Sequence, residues 1–178
     1  MIERIITAGS GGQGVMLLGK VIAEATMRKG KFVTWLPAYG PEVRGGTAHC
    51  MIVISDKEIG SPYVDKADTL IILNEPSLNR FKNRLKPGGT LILNASLAPC
   101  LKLAKAKVSY FPFTDIALKL GNIKTANMVA LGSYLAAKKF FSIKDILSIF
   151  RFMTKGSNSN LVLINQKALE EGIKLKNG

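Results

Sequence analysis

Apolar residues group into short runs at the start of the chain and into helical repeats at its end. Ile2 to Ala8 reads as a buried strand that runs directly into Gly9-Ser10-Gly11-Gly12-Gln13-Gly14. Val15, Leu18, Val21, Ile22 and Ala25 then share one helical face, which predicts a helix over 15–29. Arg28 and Lys29 complement the negative end of its dipole, and Gly30 can close it in a left-handed turn. Phe32 to Leu36 predicts a second strand, ended by Pro37, which has no ladder donor. In Thr47 to Ser55, Ala48, Cys50, Ile52 and Ile54 fall on one face and Thr47, His49, Met51 and Val53 on the other, so both faces of that strand are covered.

Thr69 to Leu73 has the unbroken apolar character of a central parallel strand, followed by a helix from Pro76 through Arg84. Lys86-Pro87-Gly88-Gly89 reads as a turn, and Thr90 to Leu93 and Lys107 to Phe111 as further strands. From Thr114 onward the period becomes helical, over 115–120, 126–138, 143–154 and 159–171, with Gly156-Ser157-Asn158 as a connection. Strands alternating with helices argue for an α/β layered domain with a helical C-terminal third. No linker or internal repeat divides the chain, so its 178 residues are expected to form a single domain over 1–178.

Composition narrows the chemistry. Cys50 and Cys100 are isolated, with no ligand-spaced partner, so the chain offers no zinc site, redox pair or iron–sulfur ligand set. No apolar stretch approaches the roughly 18 residues of a membrane span. The first residues lack the basic and apolar regions of a signal peptide, which predicts a cytoplasmic protein without membrane insertion. The net charge of +13 is unevenly placed. Residues 1–79 hold 8 Lys+Arg and 8 Asp+Glu, whereas residues 80–178 hold 17 Lys+Arg against Asp115, Asp145, Glu170 and Glu171. That field suits an acidic partner or a polyphosphate, and a solvated lysine-rich surface accounts for it equally well.

Gly9, Gly11 and Gly14 stand in the G-x-G-x-x-G register of a phosphate-binding turn, where backbone N–H groups and the positive helix end meet an anion. The acid that would hold a dinucleotide ribose is missing at the end of the second strand, which reads Val33-Thr34-Trp35-Leu36. The same residues frame a P-loop, but Val15 and Met16 stand where it needs Lys and Ser or Thr. Two readings stay open: an anion-binding turn in which Gln13 contacts a ligand or neighbouring chain, and a turn that merely brings the chain tightly onto its sheet. His49 reads as a core or interface histidine, since no nucleophile or orienting carboxylate accompanies it, and Cys50 as a packing residue. In the loop over 38–46, Glu42 and Arg44 either clamp a carboxylate or phosphate or form an interface salt bridge.

Two segments together carry a family resemblance: Gly9-Ser10-Gly11-Gly12-Gln13-Gly14-Val15 and Tyr39-Gly40-Pro41-Glu42-Val43-Arg44-Gly45-Gly46-Thr47-Ala48. They resemble the gamma subunit of 2-oxoacid:ferredoxin oxidoreductases, as do 54–62, 126–132 and the helical end near Asn165 to Gly172. The resemblance implies a three-layer α/β/α domain with a mostly parallel or mixed sheet. It also implies a place in an enzyme that oxidatively decarboxylates a 2-oxoacid to its acyl-CoA with ferredoxin as electron acceptor.

Thiamine diphosphate and iron–sulfur clusters are then expected on alpha, beta and, where present, delta subunits, and the isolated chain is expected to be inactive and to form homodimers. This chain holds no catalytic residue and no metal on that reading. Its candidate contacts, to coenzyme A or a neighbouring subunit, are Gly9, Gly11, Gly12, Gln13, Gly14, Tyr39, Gly40, Glu42, Arg44, Gly45 and Gly46.

The wording of residues 39–47 is nearest to the 2-oxoglutarate type, with 2-oxoisovalerate and pyruvate types next. A self-sufficient Rossmann oxidoreductase with NAD or a flavin is the rival reading, supported by the glycine register alone. A nucleic-acid-binding reading has only the basic second half behind it, without a recognition motif or interleaved stacking aromatics. Within the main reading, that half, including Lys102, Lys105 and Lys107, is a candidate surface for acidic ferredoxin.

Overall fold

A computed structural model describes residues 1–38, 47–101, 103, 105–153 and 159–175. Six strands form one sheet: β1 (Ile2–Ser10), β2 (Phe32–Ala38), β3 (Thr47–Ser55), β4 (Ala67–Ile72), β5 (Leu85–Asn94) and β6 (Lys107–Phe111). They lie in the order β2-β3-β1-β4-β5-β6. β1, β4, β5 and β6 are mutually parallel, while β3 runs antiparallel to both β1 and β2, so the sheet is mixed.

The helices are α1 (Val15–Arg28), α2 (Glu75–Phe81), α3 (Phe113–Lys119), α4 (Ala126–Lys138), α5 (Ile143–Met153) and α6 (Ser159–Lys174). The strand alternation read in the sequence decides the layering. Ile5, Cys50, Ile52, Ile54, Ile71 and Ile92 point to one face, where α1 and α3 to α6 cover them. Ile6, Met51, Val53, Leu70, Ile72 and Leu91 point to the other, covered by Leu78 and Phe81 of α2 and by Ile59, Val64, Ala98, Leu101 and Leu103. The three layers are therefore unequal, thick on one side and thin on the other.

Three boundaries differ from the sequence reading. Pro37 does not end β2, which continues to Ala38. β2 is an edge strand bonded only to β3, so the missing N–H of Pro37 costs the ladder little. Lys86 to Gly89 lie inside β5, where the register with β4 jumps from the Ala67/Leu85 pair to Thr69/Thr90. The turn residues are present as a bulge, with Gly88 at φ 78°. The helix starting at 75 closes at Phe81 and gives way to a 3₁₀ turn over Lys82–Arg84. Among the described residues no helix is long and apolar enough to cross a membrane. The connection proposed at 156–158 lies outside the described residues.

His49 sits in the thin layer, nearly buried, with its ring centroid 4.8 Å from that of Phe81. Burial, and then the charges of Arg80 and Arg84, hold its imidazole below the ordinary value of 6.5. The unfolded chain therefore binds the proton first on acidification. The contribution is fully present above about pH 6.5 and is lost as pH falls from there through the lower folded value. The urea midpoint of the wild type is expected to fall between about pH 7.5 and about pH 5.5, with a shallower fall in His49→Gln. Equal slopes for the two proteins would contradict this placement of the histidine.

Candidate functional site

The glycine turn lies at the carboxyl end of β1, between the strand and the first turn of α1. Gly12 and Gly14 both take left-handed backbone, φ 90° and 73°, which glycine adopts without a Cβ penalty. Gln13 holds the turn closed. Its N–H donates to the Ser10 carbonyl at 3.1 Å, its Oε1 accepts from the Ser10 N–H at 2.6 Å, and its Nε2 donates to the Leu73 carbonyl at 3.4 Å. A Cβ at Gly9 would stand 2.7 Å from that Oε1, so glycine at 9 makes room for the folded-back amide. Both ends of the Gln13 amide are thus engaged within the turn and with the residue that follows β4. Gly11 and Gly12 remain on the exposed side.

Three asparagines, on α4, at the end of β5 and at the start of α2, brace this turn and the strand ends beside it. Asn127, at the start of α4 and almost fully buried, donates from Nδ2 to the Gly14 carbonyl at 3.1 Å. Asn94, fully buried at the end of β5, donates to the Leu73 carbonyl at 3.0 Å and to Thr114 Oγ1 at 2.8 Å. Asn74 donates to Ser10 Oγ at 2.5 Å and caps α2 by accepting from the Ser77 N–H at 3.1 Å. Leu73 thus accepts from both Gln13 and Asn94, and the strand ends are stitched through side-chain amides. The sequence carried a signal for two of these residues that the periodicity reading passed over: each of two apolar runs, 70–73 and 91–93, ends in asparagine.

The first turn of α1 has no acidic residue and no side-chain cap, so nothing on the helix itself offsets its leading N–H groups and positive dipole end. Beside the turn lies a cleft of about 160 Å³ lined by Gly12, Gln13, Asn94, Thr114 and Lys124, among others. That volume takes one small group rather than a whole cofactor, and Leu73, Leu97, Ile123 and Ala126 make much of its wall apolar. Lys124 supplies a cation that the motif reading did not single out.

Tyr39, Gly40, Glu42, Arg44, Gly45 and Gly46 lie outside the described residues. The residues bracketing them are placed: Ala38 pairs with His49, and Thr47 pairs with Ser10 at the end of β1. The segment therefore leaves and re-enters the sheet at the glycine-turn end. Cys50 is fully buried with Sγ 3.0 Å from Thr7 Oγ1, and burial pushes its thiol pKa up, which leaves it a packing residue. Cys100 is exposed. Two thiols do not make the ligand set of an iron–sulfur cluster.

The family model described as "Pyruvate ferredoxin/flavodoxin oxidoreductase" matches residues 4–175. Ketoisovalerate oxidoreductase subunit VorA of Methanothermobacter marburgensis is 36% identical over 95% of this chain, which spans only 35% of that protein's length. The 2-oxoglutarate synthase subunit KorC of the same organism is 36% identical over 81% of this chain and 82% of its own. Among solved structures, the gamma subunit of a keto/oxoacid ferredoxin oxidoreductase from Geobacter sulfurreducens matches with a TM-score of 0.81 and 28% identity, covering 97% of this chain and 96% of that one.

Proposed function

The chain belongs to the pyruvate ferredoxin/flavodoxin oxidoreductase family, and from that premise we propose that it acts, as one domain, as the gamma-type subunit of a 2-oxoacid:ferredoxin oxidoreductase, with 2-oxoglutarate as the oxoacid. The 2-oxoglutarate choice rests on the wording of residues 39–47 and on the likeness to KorC over most of both chains. Likeness to a ketoisovalerate subunit keeps 2-oxoisovalerate as the second reading. The enzyme oxidises the oxoacid, releases carbon dioxide, joins the acyl group to coenzyme A and passes two electrons to ferredoxin. The thiamine diphosphate and the clusters belong to partner subunits.

What this chain contributes is a surface at the carboxyl end of its sheet. The observation that carries the reading is the exposed, uncapped glycine turn at the same end as both anchors of the 39–46 segment. Coenzyme A bears a diphosphate and a 3′-phosphate. The N–H groups at the start of α1 and the Lys124 ammonium fit such an anion, and Gln13 and Asn127 keep the turn in the shape that presents them. Glu42 and Arg44 are assigned to the same contact or to the subunit interface beside it.

Purification from native cells tests the assignment. The chain is expected to copurify with larger subunits carrying thiamine diphosphate and clusters, and the complex to prefer 2-oxoglutarate over 2-oxoisovalerate and pyruvate. A lone chain that binds a nicotinamide or is yellow would favour the Rossmann alternative, and a strong pyruvate preference would overturn the substrate choice.

A further inference from the structure

The opposite end of the sheet carries a second concavity. A groove of about 750 Å³ lies between the starts of β5 and β6 and the last turn of α4. Thr90, on its wall, is level in the sheet with Thr69 and Ile5. That is five residues of strand, about 17 Å, from Ser10 and the glycine turn.

The groove is lined by three hydroxyl residues, Thr90, Ser109 and Ser133, all nearly buried, and by three lysines, Lys107, Lys138 and Lys139. Lys138 is matched by the buried carboxylate of Glu3, 3.1 Å away. Lys107 and Lys139 are exposed and form no salt bridge among the described residues. Glu3 is thus already neutralised, and no carboxylate is among the lining residues.

Backbone conformation singles out the same place. Among the described residues, the non-glycine positions with left-handed backbone are Lys105 and Lys139, at φ 71° and 54°. The carbonyl of Lys105 accepts from the N–H of Gly88, which lines the groove, at 2.5 Å. Lys139 caps α4 where glycine or asparagine is the ordinary residue. Strained positions of this kind concentrate at ligand sites. Lys139 also divides the groove from a neighbouring one of about 470 Å³, whose apolar wall includes Leu135, Phe140, Phe141 and Ile143. The two grooves share Ala136, Lys139 and Ile173.

We propose that the joined grooves bind a nucleotide di- or triphosphate, its phosphates between Lys107 and Lys139 and its base in the apolar groove beside Phe140 and Phe141. The nearly buried hydroxyls of Thr90 and Ser133, behind the Lys107 and Lys139 ammonium groups, are directional donors for phosphate oxygens, and an adjoining apolar groove takes a flat ring. The site is independent of the coenzyme A contact above. A ligand here stands some five strand residues away from the glycine turn, so it would act as an effector.

Titration of ATP into the full chain at about 150 mM salt, followed by amide NMR, tests the site. Saturable shifts are expected at Gly88, Ser109, Ser133 and Ile173, with affinity falling about tenfold or more in Lys107→Gln/Lys139→Asn, the asparagine preserving the left-handed cap. Phe140→Ala should weaken ATP but not tripolyphosphate. Absence of saturable shifts up to about 5 mM ATP would overturn the proposal. So would shifts confined to residues 11–15, or equal affinity for ATP and tripolyphosphate. If the lysine variant loses ferredoxin reduction in the assembled enzyme while ATP leaves the wild type unshifted, these lysines serve an acidic protein partner instead.

Discussion

Gly172→Ala is expected to destabilise the chain by about 3 kcal/mol or more and to lower its Tm by roughly 10 °C. α4 and α6 cross where Gly132 faces Gly172. A Cβ built on Gly172 would stand 2.9 Å from the Gly132 Cα and closer still to the Val129 carbonyl oxygen. The atoms in the way are helix backbone, so no rotamer change relieves the contact, and the helices must separate. Separation would uncover Val129, Ala168 and Leu169, all buried in the thick layer. Gly60→Ala is the control: a Cβ there meets nothing within 4 Å, and its effect should stay within about 0.5 kcal/mol. Thermal denaturation of the three proteins decides, and a Gly172→Ala Tm equal to that of Gly60→Ala would contradict the close crossing.

Gly14→Ala should cost about as much, for two separable reasons. Its φ of 73° costs an L-residue roughly 1–2 kcal/mol. The new methyl would also collide with the Asn127 amide, whose bond to the Gly14 carbonyl is worth about 1 kcal/mol. In an Asn127→Gly background the same substitution should cost only the backbone part, so a double-mutant cycle by urea denaturation is expected to return a coupling near 1 kcal/mol. Additive effects would mean that the asparagine does not hold the turn. In the assembled enzyme the single variant is expected to raise KM for coenzyme A about tenfold or more, because it displaces the N–H groups at the start of α1.

The sequence made the fold legible wherever periodicity and burial agree. α4 was read at its observed bounds, and β3 was read end to end with the correct residues on each face, because a strand covered on both sides must alternate between two apolar sets. Sheet order was not legible. The antiparallel placement of β3 between β1 and β2 depends on pairing across the whole chain, which no local pattern encodes. Pro37 misled because its effect depends on whether the strand is at an edge. At the site, the glycine register marked the turn, but not the asparagines that fix it or Lys124 beside it. Asn74, the cap of α2 just after β4, and Asn94, the last residue of β5, are remote in sequence, and isolated asparagines read as ordinary turn residues. The family resemblance of residues 126–132 and of the chain near 165–172 gains a physical reason in the Asn127 bond and the Gly132–Gly172 crossing.

The role of this chain as a supporting subunit is tested most directly by omission and add-back. Coenzyme A-dependent reduction of ferredoxin by 2-oxoglutarate should be measured for the purified chain, for its partner subunits without it, and for the recombined complex. Turnover is expected only in the recombined complex. Oxoacid oxidation by the purified chain alone, or full activity of the partners in its absence, would contradict the account.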